Sequence, residues 1–559
     1  MVTQGSALNS AGGRAADEAA IWHTWAALGV GIAALALLIY FDLQTNLVII
    51  DEYARRWMIE RLAGGHGLAR WGQNSGLVQV FAALPLALLH LEPRFYRLSL
   101  IPFLVLEAFI TWKFARRLGA DQFWSAVAAI LLVSAPLTLS VATGIMNESV
   151  FLGLLMAAAW FAADWVEQRR NQWLCLAMLV LATVQREQAA AIVPAIGLAI
   201  ILARAKRRPT WIDLAWLAAA AVLVTLAVEL PHLLPSVGGL GYPTRPIGSS
   251  ALSAYGVLSG VLVHLAYPVF DLVNLPIVLG LLFIPLCLGL LARLPVEGRR
   301  LGRAEMLPVA LATFGLLGAA KLLVFFQAPM FPGPNFGTWG LGPTTLPNPK
   351  ANLFPDWLFG VIELLTIATF VVMLIWRRRA WTPVNLGPVG VLLVFISLSQ
   401  FLPLFVYDQT LDRYFLAVAA PLVPVTCAWI SRAPRLPRGA KEFALASLVA
   451  GLLVYVAGQQ DYTAWLVARD QAAQIAYQRY PPSQVVAGTE ASEEYIWVPA
   501  ANDPAGNLPK SVSDYPNAVL LFAGQDDPRP GVAYHSLASG KIVIIYRAPT
   551  YLHCDPYCR

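Results

Sequence analysis

Charge is what this 559-residue sequence has least of: Asp, Glu, Lys and Arg make up 13% of it, against about 25% in an ordinary soluble domain. With 58% hydrophobic residues and a mean hydropathy of +0.61, no water-soluble fold could bury the apolar excess. That excludes a cytosolic enzyme, a nucleic-acid-binding protein and a disordered chain. Cysteine is also scarce. Of five, Cys175, Cys287 and Cys427 stand singly in apolar segments, and only Cys554 and Cys558 are close enough for a local disulfide, with two free thiols the equal alternative. The seven histidines show no i, i+4 pairing and no clustering with cysteine, so no zinc site is expected. No P-loop, GxSxG elbow or GxGxxG follows a strand pattern, which leaves nucleotide hydrolysis and serine-hydrolase chemistry without a motif. Nor does the spanning unit repeat.

What the sequence does have is long apolar runs, at 22–41, 98–115, 122–142, 148–165, 172–184, 188–203, 210–230, 269–294, 305–326, 357–376, 384–406, 414–431 and 441–458. They predict an all-α polytopic membrane protein of about thirteen transmembrane helices. Every second connection is basic: Lys113–Arg117, Arg169–Arg170, Arg204–Arg208, Arg293–Arg303, Arg377–Arg379 and Arg432–Lys441, together about half of the 39 Lys and Arg residues. Positive loops stay inside, so the N-terminus is expected in the cytoplasm and the C-terminus outside. Segments 75–91 and 251–267 are apolar too, but a span at either one alone would invert the basic loops that follow. They read as interfacial or re-entrant helices. Residues 1–20 form a cytoplasmic tail, and the first span reads as a retained anchor rather than a signal peptide. The transmembrane domain occupies 21–458, with a first outer loop at 42–97, a Pro-, Gly- and Asn-rich outer loop at 327–356, and an extracytoplasmic α/β domain at 459–559. In that domain 462–479 has a helical pattern, and Gln484–Ala487, Ala518–Phe522 and Ile542–Tyr546 read as strands.

Chemistry is then sought among the polar residues at the outer ends. Asp51 and Glu52 follow the apolar run Leu47–Ile50. A carboxylate there can act as general base on an acceptor hydroxyl while its neighbour orients the acceptor or holds a cation. The competing reading pairs both acids with Arg55 and Arg56 one turn on. Glu148, in Met146-Asn147-Glu148-Ser149, either complements the first turn of the next helix or faces the same outer cavity as Asp51. Arg186 and Arg413 suit bidentate contact to a lipid phosphate, against local ion pairs with Glu187 and with Asp412 or Asp408. Glu107 lies inside the second span and needs a partner or a wet cavity, whereas Lys321 can snorkel.

The order of these elements resembles the C-type (GT-C) membrane glycosyltransferases, in particular the protein O-mannosyltransferase and lipid A aminoarabinose transferase branch. Asp51-Glu52 opens a long first outer loop, Met146-Asn147-Glu148-Ser149 occupies the second, Arg186 precedes an apolar span with the basic exit 203–208, and Asp412-Arg413-Tyr414 opens a late span. Asn147 stands where many relatives have Asp or Thr, and Asn74-Ser75-Gly76 lies in the neighbourhood of their His-Pro-Pro. The resemblance implies transfer of a sugar, with inversion, from a polyprenyl-phosphate donor to a protein, glycolipid or polysaccharide acceptor on the extracytoplasmic side of the cell (inner) membrane. It assigns Asp51 as base, Glu52 and Glu148 as supporting carboxylates, and Arg186 and Arg413 as donor-phosphate ligands. No cofactor is assigned, a divalent cation is left open, and no nucleic acid takes part. The competing class is a transporter or lipid flippase, for which only Glu107 and Lys321 speak.

Overall fold

The computed structural model describes residues 5–44, 52–71, 76–144, 146–203, 210–237, 279, 282–286, 383–406, 412–432, 436, 439–479, 519–523, 531–536 and 540–547. Its helices, in chain order, are α1 (Gly5–Asp42), α2 (Glu52–Ala63), α3 (Leu77–Leu88), α4 (Ile101–Arg117), α5 (Gln122–Val133), α6 (Pro136–Ala142), α7 (Asn147–Gln168), α8 (Gln172–Gln185), α9 (Ile192–Ala203), α10 (Trp211–Glu229), α11 (Pro383–Phe401), α12 (Leu416–Ser431) and α13 (Ala440–Arg479). Among the described residues seven helices are long and apolar enough to cross a membrane, or eight if one bent pair is a single span. The chain is a multi-pass membrane protein.

The expected spans at 305–326 and 357–376, nearly all of 269–294, and segment 251–267 lie outside the described residues. The others differ from expectation in two ways, while α3, in the segment 75–91 read as interfacial or re-entrant, is short. The run 122–142 is broken into α5 and α6, bent by 48°, because Pro136 starts a new helix. α8 has 14 residues, and α9 with the 3-10 turn before it covers Glu187–Leu202, so both fall short of a straight span. α3, with 12 residues, is about 18 Å long and cannot cross a hydrocarbon layer of roughly 30 Å.

α7 is the central helix. It packs on α4 and α8, and most of its residues are buried. Gly153 permits the α4 approach, since a Cβ there would lie 2.7 Å from the Phe103 carbonyl oxygen. At one end of the bundle, Asp121 caps α5 through Trp124 N–H at 2.8 Å, and Thr210 with Asp213 forms a capping box on α10. The basic loops meet at this same end, through Arg117 with Asp164, Arg169 with Asp213, and Arg432 with the Leu118 carbonyl. The opposite end, where the charge pattern puts the outer face, gathers the C-terminus of α1 and the N-termini of α2 and α7.

Helix α13 runs for 40 residues through position 459 without a break. At about 60 Å it is roughly twice the membrane thickness. The last expected span and the helical pattern at 462–479 are therefore one element, and α13 lies against strands β4 and β5. The strands are β1 (Arg70–Trp71), β2 (Ser236–Val237), β3 (Val519–Ala523), β4 (Gly531–Ser536) and β5 (Gly540–Arg547). β1 and β2 pair in parallel, tying the first outer loop to the chain after α10. The other three form an antiparallel sheet in the order β3-β5-β4, in which β4 is an addition to the expected strands and Gln484–Ala487 lies outside the described residues.

Candidate functional site

The outer end is organised by two adjacent residues in the first turn of α7. The Asn147 side-chain oxygen accepts from Arg55 Nε of α2 at 2.6 Å and from Gln185 Nε2 of α8 at 3.2 Å. Gly76, which caps α3 with φ of +51°, lies so close that a Cβ there would stand 2.5 Å from the same oxygen and 3.2 Å from Arg55 Nε. Only glycine reaches this position without strain. Glu148 is the second hub. Its Oε1 meets Arg186 Nη1 at 2.9 Å and Arg413 Nε at 3.1 Å, and Arg55 also acts on the carboxylate electrostatically. Glu148 and Arg413 side chains are only 6% and 7% exposed, and Oε2 of Glu148 is buried with no hydrogen-bond partner among the described residues.

Arg186 does not form the local pair with Glu187 that sequence proximity offers. Its backbone is extended at φ −156°, ending α8, and its guanidinium instead lies 4.3 Å from the Tyr414 ring centroid and 5.7 Å from that of Phe151. Arg413, in the 3-10 turn that opens α12, lies over the same Tyr414 ring at 5.7 Å. One aromatic face and one carboxylate thus hold two guanidiniums in fixed positions.

Asp51 lies outside the described residues, and Glu52, which follows it, starts α2. Both Glu52 oxygens accept from Arg97, at 2.9 Å from Nε and 2.9 Å from Nη2, and both side chains are 1% exposed. Arg97 Nη1 donates to the Asp42 carbonyl oxygen at 2.8 Å, and Asp42 Oδ1 accepts from Gly144 N–H at 3.2 Å. A continuous buried network therefore joins the start of the first outer loop, the end of α1 and the turn before Asn147. Breaking such a pair costs about 3–5 kcal/mol, because the survivor is a buried unpaired charge. Arg56 pairs with Glu60 at 2.8 Å. Arg55 and Arg56 thus reach Asn147 and Glu60, while the acid at position 52 goes to Arg97.

The structure brings together three of the expected site residues, Glu148, Arg186 and Arg413, and puts Glu52 in an adjoining network. Sequence reasoning named Arg55, Gly76 and Tyr414 without assigning them to the site, and missed Arg97 altogether. Arg97 could have been noticed as a cation at the outer end, where positive residues are sparse. Among the described residues no group of three or more His, Cys, Asp or Glu is placed to hold a metal ion.

These features define a multi-pass membrane protein with a buried, arginine-rich cluster at one end of its central helix. Among solved structures, the chain is similar to ArnT from Cupriavidus metallidurans bound to undecaprenyl phosphate, at 13% identity over 94% of this chain and 99% of that one, with a TM-score of 0.36. The apo state of ArnT aligns over 93% and 97% at 13% identity and a TM-score of 0.35. The archaeal oligosaccharyltransferase AglB from Archaeoglobus fulgidus, in complex with an inhibitory peptide and a dolichol-phosphate, aligns over 82% of this chain and 58% of that one, at 13% identity and a TM-score of 0.39. Both proteins are C-type glycosyltransferases. No protein-family model and no curated protein matches this chain.

Proposed function

We propose that the protein is a glycosyltransferase that moves a sugar from a polyprenyl-phosphate donor to an acceptor hydroxyl at the outer face of the cell membrane. The observation that carries this reading is the convergence of Arg186 and Arg413 on Glu148 at the membrane-facing end of α7, beside the helix that starts at Glu52. A lipid-linked donor reaches its enzyme from the bilayer, so its phosphate arrives at the outer ends of helices. Guanidiniums already fixed there stabilise the charge that develops on the leaving phosphate better than mobile water does.

In this reaction the acceptor oxygen forms a bond to the anomeric carbon as the bond from that carbon to the phosphate oxygen breaks, with inversion. The acceptor proton passes to Asp51, the general base, and the lipid leaves as polyprenyl phosphate held by Arg186 and Arg413. Glu148 keeps the two arginines in register while the site is empty and yields part of their hydrogen bonding to the phosphate. Glu52, through Arg97, fixes the loop that carries Asp51. The sugar is a hexose or a pentose, and the acceptor is a protein, glycolipid or polysaccharide. The division into a transmembrane domain at 21–458 and an extracytoplasmic domain at 459–559 belongs to the same proposal.

Purified protein in nanodiscs, given a panel of radiolabelled polyprenyl-phosphate hexoses and pentoses with cell-envelope extract as acceptor, should consume one donor and release polyprenyl phosphate. Failure with every donor would overturn the reading. One observation favours transport instead: Glu107 is fully buried inside α4, with both carboxylate oxygens lacking a hydrogen-bond partner among the described residues. Lys321, the other residue in its favour, lies outside them. Glu107→Gln separates the two readings. A glycosyltransferase should keep turnover within about twofold, since no proton crosses the membrane in its reaction, whereas a proton-coupled transporter assayed in proteoliposomes should lose flux.

A further inference from the structure

Beside the arginine cluster is a group of buried side chains whose polar atoms the fold leaves unused. Gln79, in the first turn of α3, is 0% exposed, and neither its Oε1 nor its Nε2 has a hydrogen-bond partner among the described residues. Its backbone N–H donates to Gln185 Oε1 at 3.2 Å, which sets residue 79 against the turn that carries Arg186. Two residues after Arg186, Gln188 Nε2 donates to the Gln400 carbonyl at 2.8 Å and Gln400 Nε2 returns a bond to the Gln188 carbonyl at 3.3 Å. That reciprocal clamp uses both donors and neither side-chain acceptor. Gln188 Oε1 and Gln400 Oε1 are buried and unpartnered, as are Ser149 Oγ and Glu148 Oε2 in the first turn of α7.

Buried amides without partners are rare, because each one sacrifices hydrogen bonds to water and regains none. Gln79 with its whole amide in that condition, and Gln188 and Gln400 with their side-chain oxygens in it, form a set near the turn that carries Arg186: several acceptors, with the Gln79 amide as donor. Hydroxyls that both donate and accept, spaced around a ring, complement such a set, and a phosphate does not, since it brings acceptors only. We infer that Gln79, Gln188 and Gln400 form the subsite for the sugar ring of the donor, next to the arginines that hold its phosphate. This rests on the function proposed above. Gln79 is the specificity-determining member, because its whole amide is left for the ligand, while the other two also clamp α11 to the turn after α8. A site built to hydrogen-bond hydroxyls rejects ligands that lack them, since its own groups then stay unpaired.

The test compares wild type with Gln79→Met, which keeps the length of the side chain and removes both polar atoms. Affinities are measured in nanodiscs for the consumed polyprenyl-phosphate sugar and for sugar-free polyprenyl phosphate, alongside thermal unfolding. The expected result is a melting temperature equal to or above that of wild type, unchanged affinity for the sugar-free lipid, and about a tenfold loss of affinity for the glycosylated one. Gln400→Met, read by the same ratio of affinities, provides a second probe should Gln79→Met fold poorly. An unchanged ratio in the folded variants would overturn the subsite while leaving the glycosyltransferase reading intact, and would mean that the amides hold ordered water. A wild type that binds no glycosylated lipid at all would overturn both.

Discussion

At both ends of the helical bundle arginines meet acids, and the two ends do so differently. At the basic end Arg117 is shared by two acids, Asp164 and Glu167, each at 2.7 Å, and Asn171 takes a second Asp164 oxygen at 2.8 Å. Asp213 there accepts from Trp165 and from the capping threonine, and meets the half-exposed Arg169 at 3.6 Å. No acid oxygen at that end is buried without a partner among the described residues. At the outer end the stoichiometry reverses. One carboxylate, Glu148, answers to Arg186, Arg413 and Arg55, and its Oε2 has no hydrogen-bond partner among the described residues. The first arrangement is self-satisfied, as expected of a latch between helices. The second is buried and gathers three guanidiniums around one carboxylate, the arrangement on which the proposed phosphate site rests.

The sharpest break of this comparison lies at the outer end. Asp51→Asn should lower turnover by about a hundredfold to ten-thousandfold while donor affinity stays within about twofold, as kcat and Kd measured on the same preparation would reveal. Glu148→Gln keeps the shape and removes the charge that holds the arginines together. It should destabilise the protein by about 3–5 kcal/mol, and the loss should be partly restored by polyprenyl phosphate, giving a larger lipid-dependent rise in melting temperature than in wild type. Gly76→Ala forces a side chain onto Asn147 and Arg55 at a left-handed backbone position, so about 1–3 kcal/mol of stability and a comparable share of donor affinity should disappear together. Arg117→Ala, at the basic end, should cost only about 0.2–1 kcal/mol and leave turnover unchanged, with the cost shrinking as salt is added.

What could be read from the sequence follows the range of the interactions involved. The alternation of basic loops is a local property, and the structure sorts the ends of α4, α7, α10 and α12 accordingly. Glu148, Arg186 and Arg413 could be singled out one by one, because charge at the end of an apolar run is conspicuous. Their meeting is an expectation of the family resemblance and not of spacing, since Arg186 and Glu148 are 38 residues apart, and the local alternative at Glu187 fails where the chain turns extended at Arg186. The partnership of Glu52 with Arg97, 45 residues away, is equally invisible to spacing. Gly76 drew notice as a departure from a family pattern, yet its role depends on how closely α3 approaches Asn147. The domain boundary read at 459 follows the end of the apolar run 441–458, and α13 continues through it because glutamine is a good helix former.

The account is tested most directly by the affinity of purified protein for undecaprenyl phosphate, measured by titration in nanodiscs for wild type, Arg413→Ala and Arg117→Ala. If the outer cluster is the phosphate site and the basic cluster a latch, Arg413→Ala should bind about tenfold to a hundredfold more weakly and Arg117→Ala like wild type. Equal affinity in all three proteins, or a loss confined to Arg117→Ala, would contradict the assignment of the outer end as the place where the donor is held.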